Sequence, residues 1–363
     1  MPDVPAPIRL VVLYGGQSAE HDVSCVSAAH VLKAIDTSRY EVDAIAITAE
    51  GRWVRSSATE AALKAGPDAI AGSLDTVGVE LVAPAALAPN HPSQQVVVLP
   101  VLHGPRGEDG TVQGFMELAD VAYAGTGVLG SALNMDKAVA KVVAGAAGLP
   151  QVRYLSARDT DLGAGFEAQV AEELGWPVFV KPANMGSSVG VTRADDPASL
   201  RVALAAATVF DEWVVVEEAV DAREIEVGVI GNDEPRASVP GEIVPTHDFY
   251  DYADKYLEGA AEMKVPADLP GEVGRAARDL ALTAYRTLRC DGLARVDFFY
   301  EEGGRGLLFN EINTMPGFTP FSMFPSLWSA SGLSYAELLD EVVRLALERH
   351  EHRSHHRNSQ RRR

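Results

Sequence analysis

The sequence predicts an α/β chain that opens on a doubly wound parallel sheet and continues into α+β blocks, and three stretches carry that expectation. Ile8 to Tyr14 is a continuous apolar run, as a strand buried on both faces requires. It leads through Gly15-Gly16 into a helical pattern with Ala28, Val31, Leu32 and Ile35 on one face. Val96 to Leu102 is a second such run, and Val152 to Val220 reads β-α-β-β-α-β. With 363 residues the chain is too long for one core of ordinary size, so two or three domains are expected.

Composition narrows the partners. Lys and Arg number 31 against 51 Asp and Glu, a formal net charge of −20. That balance argues against nucleic acid or an anionic membrane, and an anionic ligand would need a local cluster of cations. Cys25 and Cys290 stand far apart in apolar contexts with no metal spacing, which fits core residues in a reducing, cytoplasmic setting. No charged and then apolar leader opens the chain, and no run of 18 apolar residues occurs in it. His350 to Arg363 is rich in His and Arg without apolar periodicity, and residues 349–363 read as a disordered basic tail outside the fold.

In chain order, the turn Gly15 to Ser24 lies where an open α/β sheet presents ligands, at a strand end facing a helix N-terminus. It is not GxGxxG, and Glu20 within it also suits an ordinary helix-start acid. Glu41 to Ile47 alternates like a strand, and Trp53 to Gln95 reads as a surface excursion. His103 follows the strand ending at Leu102, again at a ligand-presenting end. An alanine-rich helix is expected from Asn134 to about Ala147, with a boundary just before it: an N-terminal Rossmann-like domain over 1–130, a central block over 131–221 and a C-terminal block over 222–348. The strand Pro177 to Pro182 carries Lys181 and is followed by Gly186-Ser187-Ser188-Val189-Gly190. That loop suits a phosphate cradle, with backbone N–H donors and a Lys point charge, and equally a plain hairpin. Trp213 to Val220 is an apolar strand ending in acids, and such an edge can hydrogen-bond a base while an acid such as Glu224 holds a ribose. Glu242 to Leu257 is long and aromatic, which fits a lid. Glu272 to Arg289 is an amphipathic helix, and Tyr335 to Leu347 is the closing one.

The densest chemistry falls between Ala294 and Met323. Residues two apart on a strand share a face, so Arg295 joins Asp297, and Glu311 joins Asn313 on the neighbouring strand. Asp, Glu and Asn supply hard oxygen ligands suited to Mg²⁺, which completes its shell with water and substrate phosphates. Acids at strand ends are also common solvated caps. Pro316-Gly317 adds a backbone N–H that, beside Arg295, could form an oxyanion site.

Taken together, Gly15-Gly16 through Ser24, His103 to Gly110, Met135-Asp136-Lys137, Val180-Lys181-Pro182 with Gly186 to Gly190, Tyr250 to Tyr256, and Asn310 to Gly317 resemble the D-alanine–D-alanine ligases of the ATP-grasp superfamily. The resemblance spans residues 8 to 345 with its motifs in order. It implies an ATP-grasp fold in which the two later blocks clamp ATP, and an ATP-dependent joining of two D-alanines through a D-alanyl phosphate for peptidoglycan. By that resemblance Asp297, Glu311 and Asn313 hold two Mg²⁺ (or Mn²⁺), with a monovalent cation such as K⁺ nearby. Lys137, Lys181, Ser187 and Lys255 meet the phosphates, while Glu217, Val220 and Glu224 hold adenine and ribose. Arg295 and Gly317 bind the oxyanion, Glu20 and His103 the first D-alanine, and Ser322 and Met323 the carboxylate of the second. Ser187 and Tyr256 link the lid to Glu20, and Tyr256 goes with D-alanine rather than D-lactate as second substrate. Glu218 stands where many relatives have Lys. The resemblance further implies a cytoplasmic homodimer. Two rivals remain open: another ATP-grasp carboxylate–amine ligase, lacking a use for Glu20 and Tyr256, and a nucleotide-binding protein without catalysis.

Overall fold

The computed structural model describes residues 7–245 and 261–361 and contains three sheets. In the first, β1 (Ile8–Gly15), β2 (Tyr40–Ile47), β3 (Trp53–Arg55), β4 (Val79–Glu80), β5 (Val96–Val101) and β6 (Ala122–Tyr123) take the order β4-β3-β2-β1-β5-β6. Strands β2, β1, β5 and β6 are parallel, and β3 and β4 add an antiparallel edge. Parallel strands need both faces covered. Leu10, Val12 and Tyr14 enter one core with the helix His21–Ala34, and Val11, Leu13 and Ile47 enter another with Leu102, Val112 and Met116. The excursion Trp53 to Gln95 supplies the antiparallel edge. Its strands are only three and two residues long, too short to show a period in the sequence.

The first turn is fixed sterically. Gly15 has φ +88°, and a Cβ there would lie 2.3 Å from the Ile47 carbonyl oxygen, so only glycine lets β1 leave the sheet beside β2. The Ser24 hydroxyl accepts from the Gly15 N–H at 2.8 Å and donates to the Val101 carbonyl, which pins the helix start to two strand ends.

The second sheet is antiparallel where β10 meets its neighbours: β7 (Tyr154–Arg158), β8 (Val178–Pro182), β9 (Thr192–Ala194) and β10 (Trp213–Glu218) lie in the order β7-β10-β8-β9. Alternate residues Val178, Val180, Val214 and Val216 meet Phe166, Val170, Leu200 and Ala203 of the helices Ala164–Glu173 and Pro197–Ala207. The third sheet holds β11 (Arg223–Gly231), β12 (Arg236–Pro245), β13 (Ala261–Lys264), β14 (Gly292–Glu301) and β15 (Gly306–Asn313) in the order β13-β12-β11-β14-β15. The helix Gly271–Thr287 lays Ala277, Ala281 and Ala284 on it. The helix expected to run unbroken from Asn134 is two, Val128–Met135 and Lys137–Ala146. Asp136 between them accepts from the Val139 N–H at 3.0 Å and so caps the second.

The basic end corrects the sequence reading. Residues 349–363 were expected as a disordered tail, yet the last helix runs Tyr335–Arg361. Its Leu338, Leu339, Val342 and Val343 complete the core of the first sheet rather than closing the third block alone. Beyond them the anchors are arginines, which leave no apolar period to read. Buried Arg349 donates to the carbonyls of Gly125 at 2.6 Å and Tyr123 at 3.0 Å, and its guanidinium lies 4.1 Å from the Tyr123 ring centroid. Arg353 pairs with Glu117 and with Asp291.

Arg349→Leu leaves two buried carbonyls without their donor, so urea denaturation of the variant is expected to show a loss of about 3 kcal/mol. A change within about 0.5 kcal/mol, the range of ordinary surface substitutions, would place the end of the helix outside the cooperative fold.

Candidate active site

The site is built on the β14–β15 ladder. Its register sets Asp297 opposite Glu311 and Arg295 opposite Asn313, with a bulge between Asp297 and Phe298. On the other side of β14, Glu226 of β11 stands opposite Asp297. Five polar side chains thus share one face. Arg295 grips Asp297 through two bonds, Nε to Oδ1 at 2.8 Å and Nη2 to Oδ2 at 2.7 Å, and its Nε also lies 2.8 Å from Glu226 Oε2. The Asn313 amide donates to Asp297 Oδ2 at 2.8 Å. Among the described residues no three or more His, Cys, Asp and Glu side chains are spaced to hold a metal ion; the β14–β15 ladder itself offers the oxygen donors of two carboxylates and an amide, with the Glu226 carboxylate beside Arg295. Their hardness fits Mg²⁺.

Facing them across an open cleft are Lys137, Lys181 and the loop Gly186-Ser187-Ser188, with Glu224 on the wall. Lys137 starts its helix, donates to the Met185 carbonyl at 2.6 Å and lies 3.5 Å from Glu311. Ser187 and Ser188 have φ of 50° and 58°, left-handed values that side chains other than glycine adopt at a cost. The Val189 N–H donates to the Gly186 carbonyl at 3.1 Å, and two successive positive-φ residues inside such a turn are what a type I′ hairpin turn requires, so the loop geometry suits a plain hairpin as well as a phosphate cradle.

The Ser187 hydroxyl donates to Glu20, which is buried at the start of the first helix, so the loop reaches across to the first sheet. His103 is buried beside it, with Nδ1 3.1 Å from the Met315 carbonyl and no partner for Nε2 among the described residues. Burial pushes its imidazole below the ordinary value against the pull of the Glu20 charge, which favours the neutral ring. Glu108 joins these elements: its two oxygens accept from the N–H groups of Gly104 at 2.7 Å and Met315 at 3.1 Å. Burial, reinforced by the charge of Glu20, raises its carboxyl to about 8. Past Met315, Gly317 sits against Ser322, where an added Cβ would fall 3.0 Å from the hydroxyl oxygen. Ser322 accepts from the Thr319 N–H at 3.2 Å and precedes the helix Met323–Ala330, while the Met323 side chain is buried against Ile243 and Leu327. That leaves its backbone as the group available to a ligand.

Glu217 does not line the cleft: it is buried on β10, 2.7 Å from Lys141 and 2.6 Å from Lys181. Val220 lies just past β10 and likewise outside the cleft lining. Lys255 and Tyr256 lie outside the described residues. Glu218, in place of a common Lys, accepts from the Arg153 N–H at 2.8 Å and from Arg305 at 2.6 Å, so the reversed charge is matched by arginines. Sequence reasoning missed Glu226, Glu108 and Lys141. Glu226 was within reach, since it is two residues beyond Glu224 on the same strand face, and Lys141 stands one helical turn after Lys137. Nothing local marks Glu108 as a bridge, because its partner Met315 is 207 residues away.

Comparison with known proteins adds the family. A family model described as "D-ala D-ala ligase N-terminus" matches residues 9–126 and one described as "D-ala D-ala ligase C-terminus" matches residues 143–344. The chain is 46% identical over 344 residues to a D-alanine–D-alanine ligase of Deinococcus radiodurans, covering 94% of this chain and 98% of the relative. It is 44% identical over 351 residues to one of Geobacillus thermodenitrificans, covering 94% and 96%. Among solved structures, the D-alanine–D-alanine ligase of Coxiella burnetii superposes with a TM-score of 0.82 at 30% identity, over 98% of this chain and all of that one. The VanG D-Ala:D-Ser ligase of Enterococcus faecalis gives 0.80 at 32% identity, over 94% of this chain and 100% of that one.

The Lys141–Glu217–Lys181 cluster gives a pH signature. Burial pushes the Glu217 carboxyl up, but the two ammonium groups outweigh it and hold it at about 2 against an ordinary 4.5. For Lys181 the burial penalty is likewise exceeded by Glu217, and its ammonium is held above the ordinary range. Because the folded value of Glu217 is the lower one, its contribution is fully present above about pH 4.5 and is lost as the pH falls toward 2. Glu217→Gln is expected to cost about 3 kcal/mol at neutral pH. In urea titrations run at stepped pH, the gap between wild type and variant should close across that acid window.

Proposed function

The chain belongs to the D-alanine–D-alanine ligase family, and from that premise we propose that it joins two molecules of D-alanine at the expense of ATP, supplying the dipeptide for peptidoglycan. The observation that carries this is the bond from Ser187 to Glu20. It ties the Gly186–Gly190 loop, facing Lys137, Lys181 and the β14–β15 acids, to a buried carboxylate suited to an amino acid's ammonium.

A carboxylate is a poor acyl donor. ATP therefore transfers its terminal phosphoryl group to the carboxylate of the first D-alanine, and the amine of the second attacks that acyl phosphate, losing a proton and expelling phosphate. Negative charge grows on oxygen in both steps, so the work of the protein is positioning and charge stabilisation. The fold reading is ATP-grasp: the second and third sheets clamp the nucleotide, with Lys137, Lys181 and the Ser187–Ser188 loop on the phosphates and Glu224 on the ribose. Val220 and the strand end bearing Glu217 lie toward the base. Asp297, Glu311 and Asn313 would hold Mg²⁺, two ions in our reading with Mn²⁺ as a substitute, which neutralise phosphate charge when bound. Arg295 and the Gly317 N–H stabilise the oxyanion. Since Arg295 is locked to Asp297 and Glu226, its guanidinium is oriented before substrate arrives. Glu20 takes the first ammonium, neutral His103 its carboxylate, and Ser322 with the Met323 backbone the second carboxylate. Lys255 and Tyr256 close the site, the Tyr256 hydroxyl favouring an amine over an alcohol as second substrate. A cytoplasmic homodimer, with a monovalent cation such as K⁺ as a further cofactor, completes the reading. Among the described residues no helix is long and apolar enough to cross a membrane.

The direct test is phosphate release with ATP and Mg²⁺, scanning D-alanine, L-alanine, and D-alanine with D-serine or D-lactate, with products identified by mass. Release that depends on D-alanine and yields the dipeptide is expected; release indifferent to D-alanine would return the chain to other carboxylate–amine ligations. Within that assay Glu20→Gln is expected to lower kcat/KM for D-alanine on the order of a hundredfold while changing the Kd for ATP far less, because the amino acid's ammonium would meet that charge directly and ATP only through the Ser187 loop.

A further inference from the structure

The catalytic reading uses none of the histidines that follow Arg349. We propose that His352 and His356 form a chelating site for one transition-metal ion of the imidazole-preferring class, Zn²⁺, Ni²⁺ or Cu²⁺, distinct from the catalytic cleft.

The spacing is four residues on the helix Tyr335–Arg361, which sets both rings on one face one turn apart. The rings have come together: their centroids are 4.9 Å apart, their planes differ by 36°, and the two Nε2 atoms are separated by 3.0 Å. Two nitrogens bound to one metal at about 2.1 Å lie about 3 Å apart at right angles, as in tetragonal Ni²⁺ or Cu²⁺, and about 3.4 Å apart in a tetrahedron, so the rings already stand within a few tenths of an ångström of chelating distance. Without metal, a single proton shared between the two Nε2 atoms accounts for the same approach; a metal ion replaces it.

A second observation concerns the other ring nitrogen. Asp233, in the turn between β11 and β12, sets Oδ2 4.0 Å from Nδ1 of His352. Metal-bound imidazoles usually donate their remaining N–H to a carboxylate, and Asp233, outside hydrogen-bond reach at 4.0 Å, is placed to take up that role with a small shift of its exposed side chain. The pair borders a cleft of about 300 Å³ that Asn232, Asp233, Asp291 and Glu348 also line, giving an ion and its waters room and negative charge. Arg349 and Arg353 face the same cleft, but their guanidinium groups are held by the Gly125 and Tyr123 carbonyls and by Glu117 and Asp291. No third His, Cys, Asp or Glu has ligand spacing among the described residues, so the protein supplies two ligands and water the rest. Imidazole as the only protein donor favours Zn²⁺, Ni²⁺ and Cu²⁺ over Mg²⁺. Bound there, the ion cross-braces successive helical turns where the chain returns to its first sheet.

Calorimetric titration of the full-length chain with Zn²⁺, and separately with Ni²⁺, tests this in saturating Mg²⁺ and ADP, so that the catalytic carboxylates are engaged in every sample. Wild type should bind one ion more than His352→Ala or His356→Ala, and only wild type should gain melting temperature from it. Both side chains are exposed and alanine suits a helix, so the variants should fold; unchanged D-alanine ligation and circular dichroism would check this. Asp233→Asn should keep the stoichiometry and lose affinity by roughly tenfold. Equal binding by wild type and both alanine variants would overturn the proposal, as would loss of the extra ion in His355→Ala with the pair intact.

Discussion

Two carboxylates directly opposite each other on neighbouring strands are a liability, and the arrangement of this protein follows from how that liability is met. Like charges across a ladder repel, and the β14–β15 register leaves Asp297 and Glu311 no alternative pairing. Relief comes from cations delivered by separate elements. Arg295, on the same strand face, binds Asp297, while Lys137 approaches Glu311 from the start of a helix outside the sheet. Residues 137 and 311 must therefore be brought together by the packing of that helix beneath the third sheet, where Ala140 and Ala144 enter its core. The acid pair thus serves as the origin from which the other blocks are positioned.

A second set of charges acts at one remove. Lys181 reaches the cleft, yet its ammonium is held by a carboxylate that is itself gripped from behind by Lys141. Breaking one member of such a buried cluster costs more than the cluster contributes, which makes its geometry hard to lose. Glu108 acts similarly at the backbone, holding the loop after β5 and the loop after β15 in fixed relation by accepting one N–H from each. Both devices give the cleft its shape before any ligand enters.

What the sequence revealed and what it hid divide along a physical line. Period-two and period-3.6 patterns disclosed the long strands and the helices that lie on them, and the share-a-face rule located Arg295, Asp297, Glu311 and Asn313 together. Patterns failed where order depends on polar or very short contacts. The edge strands β3 and β4 hold too few residues to repeat. The end of the last helix is anchored by Arg349, whose charge made it look solvated although its guanidinium is sealed under carbonyls. Glu217 was legible as an acid at a strand end, but its partnership with two lysines is a matter of tertiary distance alone. Resemblance to a family supplied roles for residues, and it could not foresee the Arg153–Glu218–Arg305 pairing that accommodates a departure from the common pattern.

The return of the final helix to the first sheet has a consequence for how the protein is made. Leu338, Val342 and Arg349 complete a core whose other walls are Leu10, Val12 and Tyr14, so the opening block cannot finish packing until the chain's end has left the ribosome. At bacterial synthesis rates of roughly 20 residues per second or somewhat slower, the gap from β6 to that helix amounts to ten seconds or more. Throughout that interval the face that carries Leu10, Val12 and Tyr14 has only part of its cover, the helix His21–Ala34, and waits for the rest. The order of translation, as much as the stability of the finished molecule, sets how much of it reaches the native state.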